Sequence, residues 1–364
     1  MQGTLKPQTT LSPQKRRLLA MLLEKKGVAV ASKPETRTIA RRKARQSIPL
    51  ALNQEGLWFI DRMDPGKANY NVPGTVRLRG RLDVDALEKS LGEIVRRHEA
   101  LRTTLVVNGT GQPVQHIAPA EKIKLEAIDL WALPEVEREA EAKRIATEAA
   151  QYVFDLAKGP LYRFLLARLG EEDFMLCANF HHSIADGWAM GVFSNELRAL
   201  YAAFSNGKPS PLPELPVQFG DFAIWQREQV QSERMAKELA WWRDKLRGKL
   251  PFLELPTDHP RPKTQSFRGK HQSIHLAKSL SDAIRRFARR EGVSVFMALL
   301  AGFKALLYSY SKQKDIIVGS TFANRSAREL ENLIGFFVNT LPMRTNLSGD
   351  PDFCEVLKRV RETI

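Results

Sequence analysis

The 364-residue sequence predicts an α/β protein of two mixed halves behind a basic N-terminal arm. Three observations carry that expectation. Helical periodicities alternate with short β-patterned runs from Ile48 onward, a Pro-rich break falls at Pro209–Pro216, and the mixed pattern then begins again. A hydrophobic content of 43% suits a chain that buries more than one core. The implied division is 1–47 for the arm, 48–215 for the first half and 216–364 for the second.

The arm holds most of the formal net charge of +15. Residues 1–46 contain 12 Lys/Arg and 2 Asp/Glu, whereas the other 318 residues contain 44 basic and 39 acidic ones. The body is therefore only mildly basic. With no zinc-finger spacing and no RNP-like aromatic motif, the charge does not indicate nucleic acid as a partner. Within the arm, Ser12 can cap a helix running to Lys26, with Pro13 in its first turn and Gly27 at its end. Val28–Ser47 reads as a linker. No run of eighteen apolar residues predicts a membrane span, and no secretory leader is apparent. Two distant cysteines, Cys177 and Cys354, make no disulfide framework and suit a reducing cytoplasm.

In the first half the periodicities predict helices over Leu52–Met63, Asp83–Arg97, Glu135–Phe154 and Trp188–Phe204. Strands are expected at Val76–Arg79, Arg102–Val107, Pro113–Ile117, Leu161–Arg168 and Phe174–Phe180. The second half predicts helices over Phe219–Leu246, Ser281–Arg290 and Val295–Tyr310, with a last one from about Asp350 in which the chain ends. Its strands are expected at His271–Leu276, Asp315–Ser320 and near Leu341–Thr345. The tryptophans Trp188, Trp225, Trp241 and Trp242 are assigned to packing, and Cys177 to the core.

The sharpest feature is the run His181-His182-Ser183-Ile184-Ala185-Asp186-Gly187, between an expected strand and an expected helix. Successive strand residues point to opposite faces, so the two imidazoles should occupy different environments; alternation alone does not say which faces a cavity. The same opposition argues against a zinc site, as does the lack of a third His or Cys at a usual spacing. Asp186 is placed to cap the following helix. Gly187, without a side chain, lets substrate approach the helix's first turn, where N–H groups favour a developing oxyanion.

Six further stretches accompany that run. They are Gln54-Glu55-Gly56-Leu57-Trp58, Tyr70-Asn71-Val72-Pro73, Arg97-His98-Glu99-Ala100-Leu101-Arg102-Thr103-Thr104, Asp221-Phe222-Ala223-Ile224-Trp225-Gln226, Leu255-Pro256-Thr257-Asp258 and Ile334-Gly335-Phe336-Phe337-Val338-Asn339-Thr340-Leu341-Pro342. With His181–Trp188 read as HHxxxDGW, the chain from about Ile48 resembles the condensation domains of nonribosomal peptide synthetases, and within them the subgroup joining two L-configured units. Gly56 stands where most members carry Arg, and Ala189 where Ser usually follows the Trp. Members also continue beyond the equivalent of Ile364, so the resemblance makes the second half incomplete.

The resemblance implies two chloramphenicol-acetyltransferase-like α/β subdomains in a V, a pseudo-dimer with the motif at its interface. It points to His182 as the imidazole at the reaction centre, with His181 and Gly187 beside it. Asp186 is then structural and paired with Arg102, and Asn339 lies near a substrate tunnel. The implied reaction is attack of a carrier-bound aminoacyl amine on an upstream carrier-bound acyl thioester. No cofactor is bound; both substrates ride on the 4'-phosphopantetheine of donor and acceptor carrier proteins. A synthetase partner from upstream, docking on the basic arm, is a further expectation. Two rival readings follow: an acyltransferase of the same superfamily using acyl-coenzyme A, and a carrier-docking platform or inactive fragment without catalysis.

Overall fold

The computed structural model describes residues 39–43, 46–265, 267, 269–270 and 272–364. The expected arm helix Ser12–Lys26 lies outside them. The chain divides into Met1–Ile39 and Ala40–Ile364, and the helices and strands described belong to the second unit.

The first half is built on a four-stranded sheet of β2 (Asn71–Arg79), β7 (Asp173–His181), β6 (Tyr162–Gly170) and β5 (Glu126–Asp129), in that order. Strand β7 runs antiparallel to both neighbours, and β5 parallel to β6. The register sets Asn71 opposite His181 and Ala178 opposite Gly74, so the end of β7 is fixed on both sides before the motif turn begins. Alternation along β7 splits its side chains between two cores. Leu176, Ala178 and Phe180 pack toward α2 (Val84–Arg97) and α4 (Gly187–Phe204); Met175 and Cys177 pack toward α3 (Glu135–Ala150). A three-stranded sheet of β1 (Ile48–Pro49), β4 (Pro113–Ile117) and β3 (Thr103–Val107) lies beside it.

Helix α1 (Leu52–Met63) begins at Ala51, whose N–H is accepted by the Gln54 side chain 3.0 Å away. Helix α2 is capped by Asp83, whose carboxylate accepts from the N–H of Ala86. The long helix expected from Phe219 to Leu246 is two helices, α5 (Phe219–Val230) and α6 (Glu233–Lys245), because Ser232 caps the second. Although α5 follows the Pro-rich segment, it packs on the first half. Buried Asp221 takes hydrogen bonds from Arg42, and the Gln226 and Arg227 side chains bond Leu52 N and Leu50 O.

The second half contains α7 (Lys278–Arg290), α8 (Val295–Ser311), β8 (Asp315–Phe322), β9 (Asn339–Asn346) and α9 (Phe353–Arg361). The β8–β9 pair is its sheet among the described residues. Leu300, Ala301, Leu307, Ile316, Met343, Val356, Leu357 and Val360 form its core. Lys304 is fully buried within α8, and its ammonium donates to Met343 O (2.7 Å) and Thr345 Oγ1. The other face of α8 presents Phe296, Leu299, Phe303 and Leu306 about half exposed.

Two expectations are corrected here. The described residues of the run His271–Leu276 form no strand, and Ile274 is 81% exposed. Alternating residues become a strand only when an edge takes their backbone groups, and the β8–β9 ladder takes none from this run. Helix α9 also ends within the chain, at Arg361, where the Glu362 N–H caps back to Lys358 O. Among the described residues no single helix is long and apolar enough to cross a membrane.

Candidate active site

The turn after β7 separates the two histidines as alternation requires. His181 is 5% exposed, and its Nδ1 accepts from Ser183 Oγ (2.8 Å) and Ser183 N (3.2 Å). With Nδ1 an acceptor, its ring proton sits on Nε2. Burial, with a smaller contribution from the charge of His182, pushes its pKa down to about 4, so the ring is neutral at cellular pH. His181, expected beside His182 at the reaction centre, is thus buried and hydrogen-bonded within its own turn.

His182 is half-buried, and its backbone N–H donates to Tyr70 O at 2.7 Å. Its buried Nδ1 has no hydrogen-bond partner among the described residues. The closest ring is Phe336, with centroids 4.7 Å apart and planes inclined by 57°. Behind the turn, the side chain of Gln54, itself fully buried, donates to Ser183 O at 2.9 Å. The start of α1, singled out in the sequence only by resemblance, thus holds the motif's backbone from beneath.

Asp186 is 1% exposed and caps α4 through a 2.8 Å bond from Ala189 N. Its second oxygen accepts from Phe337 N (3.0 Å) and Val338 N (3.2 Å), across to the loop leading into β9. Its ion-pair partner is Arg325, at 3.3 Å and 2% exposed. The expected pair with Arg102 is not formed. Arg102 ends a 3₁₀ turn (Glu99–Arg102) and donates instead to the carbonyls of Val95, Arg96 and Ala118. Two of those carbonyls belong to the last turn of α2, which has no further helical N–H to satisfy them, and a guanidinium answers that need. Burial lowers the pKa of Arg325, opposed by the neighbouring Asp186 charge and hydrogen bond.

The loop held by Asp186 has three other anchors. Ile334 N donates to His98 Nδ1 at 3.1 Å, which leaves His98 Nε2–H to donate to Glu196 at 3.0 Å. Arg97 joins the same buried carboxylate at 3.1 Å. Burial lowers the His98 pKa, only partly offset by Glu196, so this ring too stays neutral. Asn53 on α1 donates to the carbonyls of Phe336 and Val338, and Trp188 Nε1 donates to Glu331 O at 2.8 Å. Of the tryptophans assigned to packing, Trp188 is 49% exposed and Trp241 45%, Trp188 bridging to the loop.

Gly187 opens α4, and a Cβ placed on it would meet no heavy atom within 4 Å. The space beside the motif is thus open. Asn339 is exposed at the first position of β9, opposite Phe322 and one residue beyond Val338. Sequence reasoning missed Arg325, His98, Asn53 and Phe336 as members of this site. His98 and Phe336 lie within stretches that carry the family resemblance, and Asn53 directly precedes one, but nothing in the pattern around Arg325 marks it.

The architecture and site together define a mixed α/β protein whose motif histidine stands at the end of a central strand, locked by a buried carboxylate to a loop of the other half. Residues 44–364 match the family model for the condensation domain. The chain belongs to that family. It is 45% identical over 317 residues to the chondramide synthase cmdD of Chondromyces crocatus, covering 87% of this chain and 8% of the relative. With the phosphinothricin tripeptide synthetase PhsC of Streptomyces viridochromogenes the identity is 39%, over 97% of this chain and 32% of the relative. Among solved structures, the X-domain from teicoplanin biosynthesis superposes with a TM-score of 0.78 at 30% identity, covering 90% of this chain and 71% of that one. The first condensation domain of the CDA synthetase gives a TM-score of 0.73 at 20% identity, over 88% and 75%, a likeness of fold alone. The chain thus spans a small fraction of its curated relatives.

Proposed function

We propose that this chain forms amide bonds between two carrier-borne substrates, with His182 at the reaction centre. The observation that carries the reading is the split of the histidine pair: His181 is buried, neutral and hydrogen-bonded in its own turn, while His182 is half-exposed beside an open Gly187. The α-amine of an aminoacyl thioester attacks the carbonyl of an acyl thioester, the C–S bond breaks, and the amine's proton is passed on to the departing thiolate. An imidazole can accept that proton or hold the amine in line, and either role supplies a large part of such a rate. The N–H groups at the start of α4 favour the developing oxyanion.

The substrates are borne on the phosphopantetheine arms of an upstream donor and a downstream acceptor carrier, in a cytoplasmic assembly line making a secondary metabolite. The division 1–47, 48–215 and 216–364 gives the arm to docking of an upstream synthetase and the two halves to the reaction. Asp186 and its partner Arg325 keep the turn in shape, and Asn339 lines the path to His182.

The test supplies the 364-residue chain with two loaded carriers and, separately, with an acyl-coenzyme A and a free amine. Amide formation confined to the carrier reaction supports the reading. Equal turnover of the free substrates favours a coenzyme A acyltransferase, and carrier binding without product favours a docking platform. Deleting residues 1–46 should weaken donor-carrier affinity; unchanged affinity removes the arm from the account.

A further inference from the structure

We infer that Phe336 is the positioning residue of the His182 imidazole. This inference rests on the proposed role of His182. Imidazoles that work as bases are commonly oriented by a hydrogen bond to the ring nitrogen not engaged with substrate. Here Nδ1 is buried and has no such partner among the described residues. The backbone of His182 is tied to Tyr70 O, which fixes the Cα but leaves the side-chain torsions free. What meets the ring is Phe336, 8% exposed, with its centroid 4.7 Å away at a tilt of 57°. That is the range in which aromatic faces and edges hold each other in a preferred geometry.

A ring can orient its neighbour only if it is itself immobile. The residues on either side of Phe336 are held from three directions. Ile334 N is taken by His98, Phe337 N and Val338 N by Asp186, and the Phe336 and Val338 carbonyls by Asn53. Gly335 is enclosed so closely that a Cβ would overlap the rings of Phe219 and Phe337. The loop therefore has one seat, and it delivers Phe336 onto His182. Phe336 belongs to the second half and His182 to the first, so the contact also couples the imidazole to correct seating of that loop.

The experiment compares Phe336→Leu, Phe336→Tyr, His182→Ala and the His182→Ala/Phe336→Leu double variant in single-turnover amide formation, with melting followed in parallel. Leucine keeps most of the volume, so folding should survive; Phe336→Met serves if it does not. The expected result is a fall in rate at saturating carriers of at least about 10-fold for Phe336→Leu, with little change in KM and near-normal rates for Phe336→Tyr. In the double variant the leucine should add no further loss, because a residue acting through His182 has nothing left to position. A Phe336→Leu rate within about twofold of the parent overturns the inference, as does a full multiplicative loss in the double variant. Retained activity in His182→Ala overturns the underlying reading instead, so the two failures are distinguishable.

Discussion

Replacing Arg325 by leucine removes one member of an ion pair whose side chains are 2% and 1% exposed. Leaving one buried charge without its partner typically costs about 3–5 kcal/mol. Asp186 would keep three backbone N–H donors, from Ala189, Phe337 and Val338, which holds the Coulomb part near the lower end. The variant also frees the carbonyls of Leu330 and Leu333 and the cation–π contact over Phe337 at 4.0 Å, each worth about 1 kcal/mol. A loss of about 6 kcal/mol is therefore expected, half from the pair and about 1 kcal/mol from each of the three other contacts. Arg102→Leu gives up three bonds to carbonyls near the surface, which water can partly replace, and should cost about 1–2 kcal/mol. Urea unfolding of both variants and of each combined with Asp186→Asn gives the stabilities and the coupling. Asp186 should couple to Arg325 by at least about 1 kcal/mol and to Arg102 by nearly nothing. A loss under about 1 kcal/mol for Arg325→Leu, or a strong Asp186–Arg102 coupling, refutes the assignment of the pair.

Three other outcomes follow from the same geometry. His181 has its pKa depressed to about 4 in the folded chain, so its contribution is present above the unfolded value near ~6.5 and is lost as pH falls through the folded one; the decline should reach about 3 kcal/mol and flatten in His181→Asn, read by urea titration at each pH. Lys304 is pushed down to about 8 by burial, so its share of stability is full only above the unfolded value near ~10.4 and is lost as pH drops through 8; Lys304→Met should be more stable than the parent at pH 7 and should lack that rise. Gly335→Ala should lose about 1–3 kcal/mol by overpacking the Phe219 and Phe337 rings, whereas Gly187→Ala, with open space around it, should melt like the parent and lose activity.

Much of the first half was legible because its elements announce themselves locally. Asp83 caps α2, short apolar runs bounded by turn residues mark β6 and β7, and the Asp-Gly step marks the start of α4. The separation of His181 from His182 also followed from strand alternation, though not which of them would be buried. The partner of Asp186 was not legible. A carboxylate's choice between two guanidiniums depends on what else each can bond, and Arg102 is drawn away by the carbonyls at the end of α2. Arg325 reaches the site from 139 residues away, on a connector with no periodicity of its own. The run ending at Leu276 shows the opposite error, a β pattern whose pairing edge is not present among the described residues. Its alternation was real, but pairing is a property of the neighbour.

The most direct test of the account is the single-turnover rate of amide formation from two loaded carriers in His182→Ala beside His181→Asn. Loss of a positioned general base or orienting imidazole should slow His182→Ala by about 10²–10⁴-fold with its fold intact, while His181→Asn loses stability at least as visibly as rate. A His182→Ala chain that condenses its carriers at the parent's rate would contradict the account outright.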